Sequence, residues 1–143
     1  MIVGGAAWCG ETLCAMPGGG QQPEMDTMIA YCGLDCEGCP IHLATLEQDH
    51  SKQRAMRLEI ARICSQQYCM DLLPQDVTDC DGCRSQTGRL FSGCTRCEIR
   101  KCAIDRKLTS CAFCANYACD KLRKHFDTDP AARTRLEVIR SAT

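Results

Sequence analysis

Hydrophobic positions in this chain recur at helical spacing in three stretches, and the segments between them are polar, turn-rich and full of cysteine. From Pro40 to Tyr68 the pattern reads as helix. Leu43 and Leu46 share one face, and Met56, Ile60 and Ile63 repeat at i, i+4, i+7. Pro40 suits a first helical position, where its missing N–H costs nothing, and Ser51, Lys52 and Gln53 mark an expected break into two helices. Leu73-Pro74-Gln75-Asp76 reads as a stop and turn, and Leu90-Phe91 as a short strand. A short helix is expected over 97–107. Another is expected over 117–126, with Cys119, Leu122 and Phe126 on one side. A last one runs over 130–140, capped by Thr128 or Asp129 and striped by Ala132, Leu136 and Ile139.

These stripes are thin. The 143-residue chain has one Trp, three Tyr and three Phe but 15 cysteines, about a tenth of its length. A domain short of apolar core is commonly held by disulfides or by metal. The N-terminal stretch MIVGGAAWCGETLC lacks a basic segment and a long apolar run, so it is a poor secretory signal. No stretch approaches the roughly 20 apolar residues of a membrane span. The expected compartment is therefore cytoplasmic, where paired cysteines bind metal more often than they form disulfides.

Cysteine spacing carries the chemistry. Cys36/Cys39, Cys80/Cys83, Cys94/Cys97 and Cys111/Cys114 are C-x-x-C pairs, and two intervening residues let both sulfurs reach one ion at about 2.3 Å. Cys94-x2-Cys97-x4-Cys102 repeats as Cys111-x2-Cys114-x4-Cys119. The fold class expected is a small metal-stabilised protein, mainly α, with zinc-knuckle or ribbon loops and little or no β, in which metal sites substitute for a large apolar core. Two zinc sites are expected within 80–119, each with four cysteines. Local pairing puts Cys80, Cys83, Cys94 and Cys97 on one ion and Cys102, Cys111, Cys114 and Cys119 on the other. A crossed pairing between the 80s pair and the second repeat serves as well. Cys32, Cys36 and Cys39 form a third half-site, whose fourth partner is His42, Cys64, Cys69 or solvent. Gly33 and Gly38 suit positive φ in its turns.

The segments YCGLDCEGCP, CDGCR, CTRCEIRKCA and CAFCANYACDKL resemble those of a family of small cysteine-rich prokaryotic proteins classed as a domain of unknown function. Its members open with Y-C-G-L-D-C-x-x-C-P and close with C-x-x-C-x-x-Y-x-C-x-K-L, and the similarity covers about residues 28–126. The resemblance implies zinc binding through Cys32, Cys36, Cys39, Cys80, Cys83, Cys94, Cys97, Cys102, Cys111, Cys114 and Cys119. It gives no support to His42 and leaves out Cys9, Cys14, Cys64 and Cys69. It assigns no activity.

Three parts follow along the chain: a flexible arm (1–27, rich in Gly, with Cys9 and Cys14 and with Met25 and Met28 as alternative starts), the cysteine-rich domain (28–126) and a C-terminal helix (127–143). Residues 80–143 carry 13 Lys/Arg against seven Asp/Glu, but eight thiolates holding two Zn²⁺ reduce that excess to about +2. The basic residues Arg84, Arg89, Arg96, Arg100 and Lys101 thus support nucleic-acid binding only weakly, and a protein partner is the expected one. With three His and no H-E-x-x-H, nucleophile elbow or phosphate loop, no catalytic constellation is present. The function expected is a zinc-binding structural or interaction module. The alternative is an iron–sulfur or thiol redox protein using Cys32, Cys36 and Cys39, since four thiolates hold either centre.

Overall fold

The computed structural model describes residues 28–142. The arm and its Cys9 and Cys14 lie outside the described residues. Among the described residues there are six α-helices: α1 (Pro40–Leu46), α2 (His50–Tyr68), α3 (Ser92–Arg96), α4 (Glu98–Asp105), α5 (Asp120–Thr128) and α6 (Pro130–Ser141), with 3₁₀ turns at Pro74–Asp76 and Cys111–Phe113. Among the described residues there is no strand, only an isolated bridge between Ile29 and Asp35.

Capping explains the boundaries. Pro40 begins α1. The break comes at 47–49, ahead of Ser51–Gln53, because the Asp49 side chain accepts from the amides of Ser51 and Lys52 and makes those residues the first turn of α2. Asp129 caps α6 in the same way through Ala132 N. The expected 97–107 helix is α4, which begins after the extended Cys97 and ends at Asp105, and the short α3 before it is not among the expected elements. The expected helix at 117 begins instead at Asp120, since Cys111–Cys119 is wound into turns that place sulfurs. Leu90-Phe91 forms no strand. Phe91 is a buried residue flanking α3, and Asp81 N donates to Arg89 O to close the loop before it.

Among the described residues the apolar side chains form two larger clusters and a small one. One joins Ala44, Ile60, Ala61, Leu72, Val77 and Phe91 between α1, α2 and the loop after it. The other joins Tyr31, Ala103, Ala112, Leu122, Phe126, Ala132 and Leu136 between α4, α5 and α6. Leu43 and Leu46 face solvent, contrary to the sequence pattern; Ala44 and Ile41 turn inward in their place. A third, small cluster is Ala30, Cys36 and Cys83, with Cys32 and Cys94 packed against it, so cysteine sulfur fills the seam between the two apolar lobes.

Helix α6 ties the cysteine loops down. Arg135 donates to Gly33 O (3.1 Å), and Arg140 donates to Ala112 O (2.7 Å) while its guanidinium lies over the Tyr117 ring. An Arg140→Ala variant is expected to lose about 1–3 kcal/mol in chemical denaturation, the sum of a hydrogen bond from a charged donor and a cation–π contact. An unchanged midpoint would show that α6 does not brace this loop.

Candidate metal centre

The thirteen described cysteines are free thiols, and the fold gathers most of them. The first motif is wound tightly: Ala30 N donates to Leu34 O, Cys36 N to Met28 O, and the chain turns at Gly33 with φ +90°. Gly38, the other glycine expected to need positive φ, does not adopt it; Gly82, between Cys80 and Cys83, does at +106°. Asp35 Oδ1 accepts from the amides of Glu37 and Gly38 and so sets the turn between Cys36 and Cys39.

This loop delivers Cys36 to the middle cysteines, 47 positions away. The amide of Cys83 donates to Cys36 Sγ at 3.4 Å. The thiols then run in contact from Cys36 to Cys83, to Cys94 and to Cys80. The four-thiol group is therefore Cys36, Cys80, Cys83 and Cys94, with Cys36 standing where local spacing placed Cys97. Cys111, buried, has Cys32, Cys114, Cys119 and Cys102 within electrostatic range, so the first motif reaches the second repeat as well.

Backbone amides point at the sulfurs. Besides Cys83 on Cys36, Leu34 faces Cys32, Ile41 and His42 face Cys39, and Phe91 and Gly82 face Cys80. Amides in this orientation favour thiolate over thiol. The protons nonetheless stay on most of the group. Cys36 is pushed far up, by its contact with Cys83 first and by burial second. Contact with Cys80, together with burial, raises Cys94 to about 12. At Cys83 the lowering effect of Cys36 is outweighed by Cys94 and burial, and it too moves up. Cys80 is the exception: hydrogen bonding from Cys94, helped by the two amides, lowers it to about 6. Burial raises Cys32 to about 11 and Cys111 to about 12, and pushes Cys39 up as well. Packed thiols cannot all ionise without a cation, and a bound dication inverts that balance.

A cavity of about 530 Å³ opens beside this group. Eight cysteines line it: Cys32, Cys36, Cys39, Cys64, Cys80, Cys83, Cys94 and Cys97, with His42 and His125. Cys64 is thus half-buried on the cavity wall, whereas Cys69 is exposed at the left-handed end of α2 and stands away from it. Among the described residues no three Cys, His, Asp or Glu side chains surround one ion-sized point. The donor chemistry and the amide orientation fit a thiophilic metal, and the sulfurs face a shared space. His42 Nδ1 lies 2.8 Å from Cys80 O, a contact that fixes its ring against the thiol group.

The arginines singled out in the sequence are largely engaged within the molecule. Arg89 pairs with Asp79 and Asp81, Arg100 donates to Cys83 O and Ser85 O, Lys101 pairs with Glu98, and Arg84 sits over Tyr31. Arg57 of α2 also reaches Asp79, so these ion pairs pin the loop that carries Cys80. Among the described residues no helix is long and apolar enough to cross a membrane.

The fold and its thiol seam define a mainly helical, cysteine-rich protein. A family model described as "Protein of unknown function (DUF3795)" matches residues 28–124, and the chain belongs to that family. No curated protein and no solved structure matches it.

Proposed function

We propose that this protein is a zinc-binding structural or interaction module. In this reading Cys36, Cys80, Cys83 and Cys94 hold one ion, and Cys102, Cys111, Cys114 and Cys119 hold another. The observation that carries the reading is the meeting of Cys36 and Cys83 in the seam between the apolar lobes, with backbone amides turned toward sulfur. Apolar side chains would serve that seam better if packing were its only task. Closed four-thiolate sites contribute folding energy and leave no coordination position for catalysis, which accords with the lack of a catalytic constellation in the sequence. The resulting rigid surface serves a protein partner in the cytoplasm.

The affinity is tested through pH. Binding must displace the protons that Cys36, Cys83 and Cys94 retain, whereas Cys80 has already lost its own at neutral pH. Release of about three protons makes zinc affinity fall by about a thousandfold per unit of pH as pH drops from 8 toward 6. Competition against a chromophoric chelator, with reduced metal-free protein, reads this slope. A change below tenfold per unit would contradict the assignment.

A second reading rests on the cavity. Four thiolates in tetrahedral zinc stand about 3.8 Å apart, from bonds of about 2.3 Å, and need no space of about 530 Å³. A cavity of that size lined by eight cysteines favours an iron–sulfur centre using Cys32, Cys36 and Cys39, and with it electron transfer.

A further inference from the structure

The thiols of the seam meet in a fixed order. Cys83 N donates to Cys36 Sγ at 3.4 Å, and the two thiols touch within one buried cluster. Cys94 packs against that cluster and also against the one that holds Cys80, whose thiol it touches. The contacts therefore run in a row: Cys36, Cys83, Cys94, Cys80. Such a row can be bonded in one way that leaves no sulfur over, Cys36 to Cys83 and Cys94 to Cys80. A bond in the middle, between Cys83 and Cys94, would strand both ends.

The backbone suits the first pair. A disulfide holds its Cβ atoms about 3.5–4.5 Å apart. Cys36 Cβ lies 4.0 Å from where a Cβ on residue 82, the chain neighbour of Cys83, would stand. Both residues are buried, yet both line the cavity of about 530 Å³ and a second one of about 400 Å³ beside Arg84 and Ser85. A small oxidant can reach them through either. We propose that the seam is a reversible thiol–disulfide switch, in which a peroxide joins Cys36 to Cys83 and Cys80 to Cys94. In each pair one sulfur attacks a peroxide oxygen. The O–O bond breaks, the departing hydroxide takes the thiol proton as water, and a sulfenic acid remains. The second sulfur attacks that acid, the S–O bond breaks and a second water leaves with the second proton. Each disulfide thus takes two electrons from the protein and reduces one peroxide to two waters, and added thiol reverses it. Disulfides of reducing compartments are typically transient and redox-sensing. Where zinc is held as proposed above, the bonds consume its four ligands and expel it; that consequence alone rests on the zinc reading.

Pairing is the test. Reduced full-length protein, purified without oxygen, is treated with hydrogen peroxide, and remaining thiols are blocked with N-ethylmaleimide. Cleavage after Glu37 and before Asp81 separates the partners of the first two C-x-x-C pairs, so mass spectrometry reads each linkage. Cys36–Cys83 and Cys80–Cys94 are expected, with all four thiols restored by dithiothreitol. Cys36→Ser is expected to leave Cys83 free while Cys80–Cys94 still forms. Should circular dichroism show that variant unfolded, Cys39→Ser serves instead and is expected to keep both bonds. Bonds within Cys36/Cys39 or Cys80/Cys83, thiols that stay reduced, or oxidation that dithiothreitol does not reverse would overturn the switch. A chromophoric chelator present during the reaction is expected to report one equivalent of zinc released as the bonds form. Both disulfides without released zinc would contradict the four-thiolate zinc site and leave the switch standing.

Discussion

Stripping metal from the reduced protein is expected to unfold the seam between its two apolar lobes and to lower the melting temperature by more than about 20 °C. The reasoning starts from what fills that seam. Cys36, Cys83 and Ala30 are its buried side chains, with Cys32, Cys94 and the partly buried Leu34 against them. Thiols in this number supply little hydrophobic energy, and the large buried residues lie on either side, not between. A structural zinc site contributes about 10–16 kcal/mol in small peptides. Half of that, about 5–8 kcal/mol, is comparable to the typical margin of domain stability of about 5–15 kcal/mol, and each kcal/mol moves the melting point of a domain this size by about 4 °C. Chelation under reducing conditions, followed by circular dichroism and by hydrogen exchange at residues 28–39 and 80–97, measures it. A melting curve that does not change while elemental analysis confirms loss of metal would show that the apolar lobes hold the fold alone.

Gly33→Ala is expected to cost about 3 kcal/mol, and to weaken metal binding although residue 33 carries no donor. Two effects add. The residue sits at φ +90°, where a side chain costs about 1–2 kcal/mol. A Cβ there would also run into the carbonyl of Ala132 and come within 2.8 Å of Leu136 Cγ. Leu136 is fully buried and cannot move aside without disturbing the cluster it anchors; overpacking of this kind costs about 1–3 kcal/mol. The contact runs between the first cysteine loop and α6, so relief of the clash displaces Cys32 and Cys36. Urea denaturation and zinc competition on the same variant check both halves. A loss under 1 kcal/mol with unchanged affinity would mean that the loop and α6 are not coupled.

Much of this was legible in the amino-acid order. Proline at 40 and 130, and the stripes Met56–Ile60–Ile63 and Ala132–Leu136, mark helices because caps and period are local signals. The absence of strands among the described residues matches the expectation of a mainly α fold with little or no β. Other features depend on contacts that no window contains. Asp49 moved the α1–α2 break, although the Ser-Lys-Gln run looked like the better stop. Leu43 and Leu46 followed helical spacing yet face water, since Ala44 and Ile41 pack against α2 and the following loop. The pairing of thiols was the least legible part. Spacing groups near neighbours and allows a local or a crossed pairing, but it does not foresee the turn at Gly33 that brings Cys36 across 47 positions to the amide of Cys83.

The central claim, that thiols of this seam hold zinc, is tested most directly by metal content. Elemental mass spectrometry with an ultraviolet–visible spectrum, on protein purified without oxygen, should give two to three zinc per chain and no visible band. Less than one equivalent of any metal in folded, reduced protein would contradict the account. About four irons per chain with a broad band near 400 nm, as a [4Fe–4S] centre gives, would replace zinc by a redox centre in the cavity.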